Sequence, residues 1–195
     1  MVRLNNTITK EDISKMDPIT FPGRIVIVDS LDEAERAVMY LKQEPIIGFD
    51  TETKPAFKKG QTNKIALMQL STKDICFLFR INIIGIPNAL FELLSDKKII
   101  KVGLSLKDDF MTIRRIRNFQ PNGFIELQEF VKSYGIQDMS LQKIFAILFG
   151  KKISKSQRLS NWEALVLTEG QKKYAATDAW ACKEIYDYLK ILSKE

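Results

Sequence analysis

Residues 46–53 read Ile-Ile-Gly-Phe-Asp-Thr-Glu-Thr, an apolar run that ends in two acids. Such a run predicts a buried β-strand, and Asp50 and Glu52, two positions apart, share one face of it. Carboxylates on one face repel each other, and a divalent cation bound between them removes the repulsion because hard cations prefer carboxylate oxygens. A solvated strand end explains the same two acids. Taken alone, the stretch leaves both interpretations open.

Strand-like and helix-like patterns alternate around this stretch. Residues 45–50, 64–70 and 74–79 are strand patterns joined by polar connections, which predicts an antiparallel meander. A strand at 24–28 and a helix after Ser30 come before it. The elements predicted after it are a helix at 87–94, a strand at 98–102, a helix at 106–116, a strand at 124–126, and helices at 127–134, 141–149 and 168–192. This order predicts an α/β fold with one mixed sheet flanked by helices.

Length and composition predict one globular domain. The chain has 195 residues, of which 45% are hydrophobic, and no apolar run nears the roughly 18 residues of a membrane span. Pro18 and Pro22 interrupt the early pattern, so we predict an N-terminal arm at residues 1–22 and a single domain at 23–195. The N-terminus lacks the apolar core of a signal peptide. We therefore expect an intracellular protein, cytoplasmic or, in a eukaryote, nuclear, without a membrane partner.

The absence of histidine limits the chemistry. It excludes Ser-His-Asp and Cys-His hydrolases and histidine-ligated zinc enzymes, and two cysteines are too few for a structural zinc site. Hydrolysis would have to use carboxylates, hydroxyls, lysines or a metal held by oxygen atoms. The net charge is +6, which suits a polyanionic partner, although many basic proteins bind no nucleic acid.

Two further segments carry acids in patterns that bear on function. Tyr174 and Asp178 are four positions apart in the last predicted helix, so both lie on one face, about 5–6 Å apart at Cβ. Asp108 and Asp109 stand in the first turn of the helix that follows Gly103. A surface acid beside a core tyrosine explains the first pair, and capping or the helix dipole explains at least one acid of the second. Each segment alone favours the structural explanation.

A basic segment precedes the last helix. No acid stands between Asp138 and Glu163, whereas the cations in this segment include Lys151, Lys152, Lys155 and Arg158. Such a segment is typical of contacts with a phosphate backbone, and a solubilising loop explains it equally well. A second basic group, which we interpret as a solvated helix end, comprises Arg114, Arg115 and Arg117.

The order and spacing of the acidic motifs together resemble a known family. Asp-x-Glu at a strand end, an Asp that opens a helix and Tyr-x-x-x-Asp near the C-terminus are similar to the DEDD 3′–5′ exonucleases of the ribonuclease-H-like fold. The tyrosine marks the DEDDy branch, and the sister branch carries histidine in its place. The stretch Leu159-Ser160-Asn161-Trp162-Glu163 looks most like the Werner-syndrome-protein-type exonuclease domain, with ribonuclease D as a close relative. The resemblance covers about residues 24–192.

This resemblance implies two-metal-ion hydrolysis of phosphodiester bonds with Mg²⁺ or Mn²⁺, which releases nucleoside 5′-monophosphates from a 3′ end. The metal ligands that it implies are Asp50, Glu52, Asp109 and Asp178. It implies that Tyr174 aims the attacking water, since a phenol that titrates near pH 10 is a poor base at neutral pH.

The second motif offers two adjacent candidates for one ligand. The family pattern has a glycine six positions before the ligand and an aliphatic residue four positions after it, which Gly103 and Ile113 satisfy for Asp109. We therefore choose Asp109. Asp108 would replace it if the helix began one residue earlier.

The resemblance implies nucleic acid as the partner, with DNA favoured over RNA. The residues expected to contact it are Lys54, Phe57, Lys151, Lys152, Lys155 and Arg158. Phe57 would stack on a base near the terminal nucleotide, and a core position explains it equally well. Two alternatives stay open. One is ribonuclease-D-like RNA 3′-end processing, which is weakened because we expect no further helical domain after residue 192; the other is a non-catalytic nucleic-acid-binding module of the same fold.

Overall fold

The computed structural model describes residues 4–55 and 63–193. Its strands are β1 Pro18–Ile19, β2 Arg24–Val28, β3 Ile46–Thr53, β4 Ile65–Ser71, β5 Ile75–Phe79, β6 Ile100–Gly103, β7 Phe124–Glu126 and β8 Lys152–Ile153. Its helices are α1 Lys10–Ser14, α2 Leu31–Leu41, α3 Ile81–Ile84, α4 Asn88–Ser95, α5 Leu106–Ile116, α6 Leu127–Lys132, α7 Leu141–Phe149 and α8 Glu169–Leu192. In the described ranges, no helix combines the length and the apolar character needed to cross a membrane.

Six of the strands form one mixed sheet in the order β2-β5-β4-β3-β6-β7. β3, β4 and β5 pair antiparallel, which confirms the predicted meander. The other pairs, β2 with β5, β6 with β3 and β7 with β6, are parallel. The sheet is therefore mixed, as the change from consecutive strands to alternating strands and helices predicted.

Different helices cover the two faces of the sheet. Helix α8 crosses one face and packs on β3, β4 and β5. It approaches the sheet so closely at Gly48 that a Cβ atom there would lie only 1.9 Å from the carbonyl oxygen of Ala179. Helices α2, α4 and α5 cover the opposite face, where Phe49 is fully buried. Because successive residues of a strand alternate between faces, Gly48, Asp50 and Glu52 lie on the side of α8.

Helix α8 begins with a reciprocal cap. The Thr168 hydroxyl accepts the Gln171 N–H at 3.2 Å, and the Gln171 carboxamide oxygen accepts the Thr168 N–H at 3.0 Å. Both bonds satisfy amide groups that have no partner inside the helix. The cap fixes the first turn of α8 and so helps to place Tyr174 and Asp178 over the sheet.

Residues 4–22 pack along the rest of the chain. Strand β1 pairs in parallel with β8, and the side chains of Ile13 and Phe21 are buried. The Phe21 N–H donates to the Thr177 hydroxyl at 2.9 Å, which attaches this segment to α8. The boundary at residue 22 between an arm and a domain stays a prediction.

Candidate metal centre and its clefts

Three carboxylates meet between β3 and α8. Asp50 and Glu52 project from β3, and Asp178 projects from α8. One carboxylate oxygen of each lies within 4.8 Å of the other two, and all three side chains are partly buried. The spacing of two positions in a strand accounts for the first two acids, and the passage of α8 over β3 brings in the third.

The electrostatics of this cluster are unfavourable for three ionised groups. Burial, followed by the charge of Asp178, raises the pKa of Glu52 to about 8. Burial raises the pKa of Asp178 to about 7, and it raises that of Asp50 well above its usual value, with the charge of Glu52 as the next cause. The positive charges of Arg158 and Lys155 oppose the shifts of Glu52 and Asp178, respectively. The cluster therefore holds protons that exposed carboxyl groups would have lost.

The donor set fits a hard divalent cation. All three groups offer carboxylate oxygens, which are preferred ligands of Mg²⁺ and Mn²⁺. Within residues 4–55 and 63–193, none of the three forms an ion pair with a Lys or Arg side chain. A bound cation would favour the ionised carboxylates and so reverse the pKa shifts. Asp50, Glu52 and Asp178 therefore form a candidate metal centre.

Asp109 lies beside this centre, on helix α5. The Thr51 hydroxyl donates a hydrogen bond to its carboxylate. Burial raises the pKa of Asp109 to about 7, and the charge of Asp109 in turn raises the pKa values of Asp50 and Glu52. Among the described residues, its oxygens fall outside the group that lies within 4.8 Å. Asp109 thus adds a fourth carboxylate next to the other three.

Asp108 differs from Asp109 in exposure, because the side chain of Asp108 is exposed and that of Asp109 is partly buried. The N-terminus of α5 receives its cap from elsewhere in the chain. The Glu126 carboxylate accepts the N–H groups of Ser105 at 2.9 Å and of Leu106 at 2.7 Å. Capping of α5 therefore does not account for the burial of Asp109.

Tyr174 lies one helical turn before Asp178, and the proximity of its phenol as a hydrogen-bond donor counters part of the rise in the pKa of that carboxyl. Its ring centroid is 6.0 Å from that of Trp162, which is fully buried. Burial, followed by the charges of Asp178 and Glu52, raises the pKa of Tyr174 above its usual value of 10.0. The phenol therefore keeps its proton at neutral pH and is a hydrogen-bond donor.

A cleft of about 440 Å³ opens on the Tyr174 side of the centre. Lys155 and Arg158 line this cleft together with Tyr174 and Asp178. The rest of its wall mixes apolar and uncharged polar side chains, among them Gln128, Met139, Ser140, Gln142 and Ile153. Positive charge thus stands beside the acidic centre, which favours the binding of a polyanion there.

The other two cations predicted from the basic segment contact the N-terminal residues. Lys151 forms an ion pair with Asp17 at 2.9 Å, and the Lys152 ammonium donates to the Ser14 carbonyl at 2.8 Å. Neither lines the cleft on the Tyr174 side. Of the four cations predicted from the basic segment, Lys155 and Arg158 therefore supply the positive charge of this cleft.

A second cleft, of about 390 Å³, opens on the Asp109 side. Lys54 and Arg115 line it together with Thr51 and Asp109. The Lys54 ammonium also lies 3.2 Å from a carboxylate oxygen of Glu163. The second cleft thus has a cationic wall of its own. The predicted base-stacking residue, Phe57, lies outside the described residues.

Arg115 is a candidate phosphate contact that lies outside the predicted site residues, because its basic group also fits a solvated helix end. It stands seven positions after Asp108, which is close to two helical turns. Residues with this spacing share a helix face, and both line the second cleft. Helical periodicity was therefore the signal that could have found it.

Comparison with solved structures identifies the class of fold. The exonuclease domain of Nibbler from Aedes aegypti superposes with a TM-score of 0.81 at 23% identity, over 90% of this chain and 93% of that one. At this identity the likeness shows the fold alone. The fold is the ribonuclease-H-like fold, and the predicted fold class is confirmed.

Sequence comparison identifies the family. A family model described as a 3′-5′ exonuclease matches residues 25–192. The mouse bifunctional 3′-5′ exonuclease/ATP-dependent helicase WRN is 34% identical in an alignment of 181 positions, which covers 88% of this chain and 13% of that protein. Ribonuclease D of Gluconacetobacter diazotrophicus is 27% identical in an alignment of 168 positions, which covers 84% of this chain and 42% of that protein. The chain belongs to the 3′–5′ exonuclease family.

The chain is shorter than its relatives. It spans 13%, 65% and 49% of the length of three curated proteins that it matches, from mouse, Arabidopsis thaliana and a mimivirus of Acanthamoeba polyphaga, respectively.

Proposed function

We propose that this protein is a metal-dependent exonuclease that removes nucleoside 5′-monophosphates from the 3′ end of DNA. The observation that supports this most strongly is the meeting of Asp50, Glu52 and Asp178, with Asp109 beside them, in a chain of the exonuclease family. A non-catalytic binding module would have no use for buried, mutually repelling carboxylates, since neutral residues in their place would be more stable.

The four carboxylates are the residues proposed to hold two Mg²⁺ or Mn²⁺ ions. Asp50, Glu52 and Asp178 would hold one ion, and Asp50 and Asp109 the other. When bound, such a pair of ions supplies positive charge that stabilises the attacking and leaving oxygens of a phosphoryl displacement. The chain contributes the fixed positions of the ligands, and the hydrogen bond from the Thr51 hydroxyl orients the carboxylate of Asp109.

Tyr174 is proposed to orient the attacking water. Because its phenol stays protonated, it acts as a hydrogen-bond donor and not as a general base. The neighbouring ring of Trp162 limits the positions that the phenol can take. The place of this donor beside Asp178 supports its role in aiming the water at the phosphorus atom.

Three cations in the two clefts are proposed to contact phosphate groups: Lys155 and Arg158 on the Tyr174 side, and Arg115 on the Asp109 side. Within the described ranges, none of the three is in an ion pair. Lys54 is also a candidate contact, although it would first have to exchange its pairing with Glu163. The clefts on both sides of the centre support a strand that passes across it.

DNA is proposed as the first candidate substrate because the resemblance to the Werner-syndrome-protein-type exonuclease domain favours it, and the likeness to the mouse exonuclease/helicase, at 34% identity, exceeds that to ribonuclease D, at 27%. The likeness to ribonuclease D makes RNA the second candidate. In oligonucleotides of one sequence without thymine or uracil, DNA and RNA differ only in the 2′-hydroxyl, so such matched substrates are the appropriate comparison.

The test is a digestion of matched DNA and RNA oligonucleotides labelled at the 5′ end, with free or blocked 3′ ends and in single-stranded or recessed form. With Mg²⁺ or Mn²⁺ we expect stepwise shortening of the free 3′ ends, faster for DNA, and none with a blocked end or with EDTA. Activity that survives EDTA, or cleavage at internal sites, would contradict the proposal. Faster shortening of RNA would establish the second candidate.

Substitution of the two adjacent acids tests the second motif. We expect Asp109→Asn to lower the metal-dependent rate by about a hundredfold or more, because a neutral amide is a poor ligand for a hard cation. Asp108→Asn, which removes an exposed charge, should change the rate by less than about threefold. The measurement is the initial rate of both variants on one oligonucleotide. A larger loss for Asp108→Asn would show that the assignment is wrong.

A further inference from the structure

Gln69 is a buried side chain without a hydrogen-bond partner. It lies in the middle of β4 and is 0% exposed. Within the described residues, neither the oxygen nor the nitrogen of its carboxamide has a partner. Most buried amides in folded proteins are hydrogen-bonded, so this one calls for a physical explanation.

The structure of the strand does not supply that explanation. Met68 and Leu70, the neighbours of Gln69 along β4, are fully buried apolar residues, and so is Leu78, its partner on β5. An apolar side chain of the same size would fill this place without loss of hydrogen bonds to water. With no partner among the described residues, the amide at position 69 is therefore a destabilising feature.

The position of Gln69 relates it to the candidate metal centre. In the antiparallel pair of β3 and β4, Gln69 stands directly opposite Asp50. Directly opposed residues lie on the same face of a sheet, with Cβ atoms about 4.5–5.5 Å apart. One oxygen of Asp50 already accepts the Thr51 N–H at 2.9 Å, and the other has no such bond within the described residues. The unpaired amide of Gln69 thus lies next to Asp50, the carboxylate that is proposed to bind both metal ions.

We propose that Gln69 is a positioning residue for the metal centre. Its carboxamide N–H donates to the Asp50 carboxylate once that carboxylate binds a cation, and it holds Asp50 in the ligating orientation. This inference rests on the proposed function. Its physical basis is that groups hydrogen-bonded to a metal ligand orient that ligand and strengthen metal binding.

The test compares stability and metal binding in the variant Gln69→Met, which keeps the volume and removes the amide. In EDTA, we expect its melting temperature to rise by about 2 °C or more, because an unpaired buried amide is lost. We expect its Mn²⁺ dissociation constant, measured from the electron paramagnetic resonance of free Mn²⁺, to rise by about tenfold or more. A purely structural residue would not, when substituted, stabilise the protein and weaken Mn²⁺ binding at the same time.

The matched control is Leu67→Met, which stands on the same face of β4 opposite Glu52. It should leave Mn²⁺ binding within about twofold, because it removes no polar group. An unchanged or lowered melting temperature for Gln69→Met, including failure to fold, would show that the amide has a partner in the metal-free protein and would overturn the inference. So would an unchanged Mn²⁺ affinity.

Failure of the proposed function and failure of the role of Gln69 give different experimental results. If the unsubstituted protein neither binds Mn²⁺ nor degrades an oligonucleotide, the proposed function fails together with the role of Gln69. If the unsubstituted protein does both and Gln69→Met binds Mn²⁺ equally well, only the role of Gln69 is wrong.

Discussion

Asp178→Asn is expected to abolish metal-dependent degradation of a 3′-ended oligonucleotide and, at the same time, to raise the melting temperature of the metal-free protein at pH 8. The loss of activity, on the order of a thousandfold or more, follows from the removal of a ligand from the centre that it shares with Asp50 and Glu52. The gain in stability follows because burial and the neighbouring acids make its charge unfavourable. For a protein of this size, each 1 kcal/mol gained raises the melting temperature by about 2–4 °C.

The control for this experiment is Glu169→Gln. Glu169 is an exposed acid in the first turn of the same helix, and it pairs with Lys172 at 2.8 Å on the surface. Its removal should leave the initial rate within about twofold, because exposed ion pairs contribute little. Calorimetry in EDTA and rate measurements in Mg²⁺ give both quantities for both variants. If Asp178→Asn kept more than a tenth of the activity, or melted at a lower temperature in EDTA, the assignment of this acid would be wrong.

The stability of the metal-free protein is expected to fall as the pH rises from about 4 to about 8. In the folded state the pKa values of Asp109 and Asp178 are about 7 and that of Glu52 is about 8, against ordinary values of 3.8 for Asp and 4.5 for Glu. Between the two sets of values the folded state binds more protons than the unfolded state, so each unit rise in pH lowers the free energy of unfolding. The contribution of these groups is complete below about pH 4 and is lost above about pH 8.

Mn²⁺ should remove this pH dependence above about pH 7, because the ion binds the ionised carboxylates. For the same reason, its apparent affinity should rise through this range by up to about tenfold per pH unit for each proton displaced. Acids whose pKa is lowered in the folded state, such as Asp138, make the stability rise with pH. They do so only near and below their ordinary pKa of 3.8. The measurement is thermal unfolding from pH 4 to 9 with EDTA and with Mn²⁺. A stability in EDTA that stays level or increases from pH 5 to 8 would contradict the assigned pKa shifts.

Local patterns predicted most of the fold. The helix at 106–116 was predicted with the bounds that α5 has, and the strands of the meander were predicted to within a few residues. These elements could be predicted because hydrophobic spacing and turn residues act over a few positions of the chain. The placement of Asp50 beside Glu52 and of Tyr174 beside Asp178 could be predicted for the same reason, since each pair shares one face of one element.

The contacts around the candidate site depend on the tertiary structure. Sequence spacing chose Asp109 over Asp108, but the hydrogen bond from Thr51 and the difference in exposure come from the packing of α5 against β3. The basic segment looked uniform along the chain. In the fold, Lys151 and Lys152 contact the N-terminal residues, whereas the later two cations line a cleft.

The sequence by itself determined the order of strands and helices, the class of fold and the pairs of acidic and phenolic side chains, because these follow from periodicity within one element. Only the tertiary structure decided that Asp178 meets Asp50 and Glu52, that Arg115 lines a cleft, and that Gln69 stands opposite Asp50. The physical reason is that each of these meetings joins elements far apart in the chain, or two strands whose register must first be known.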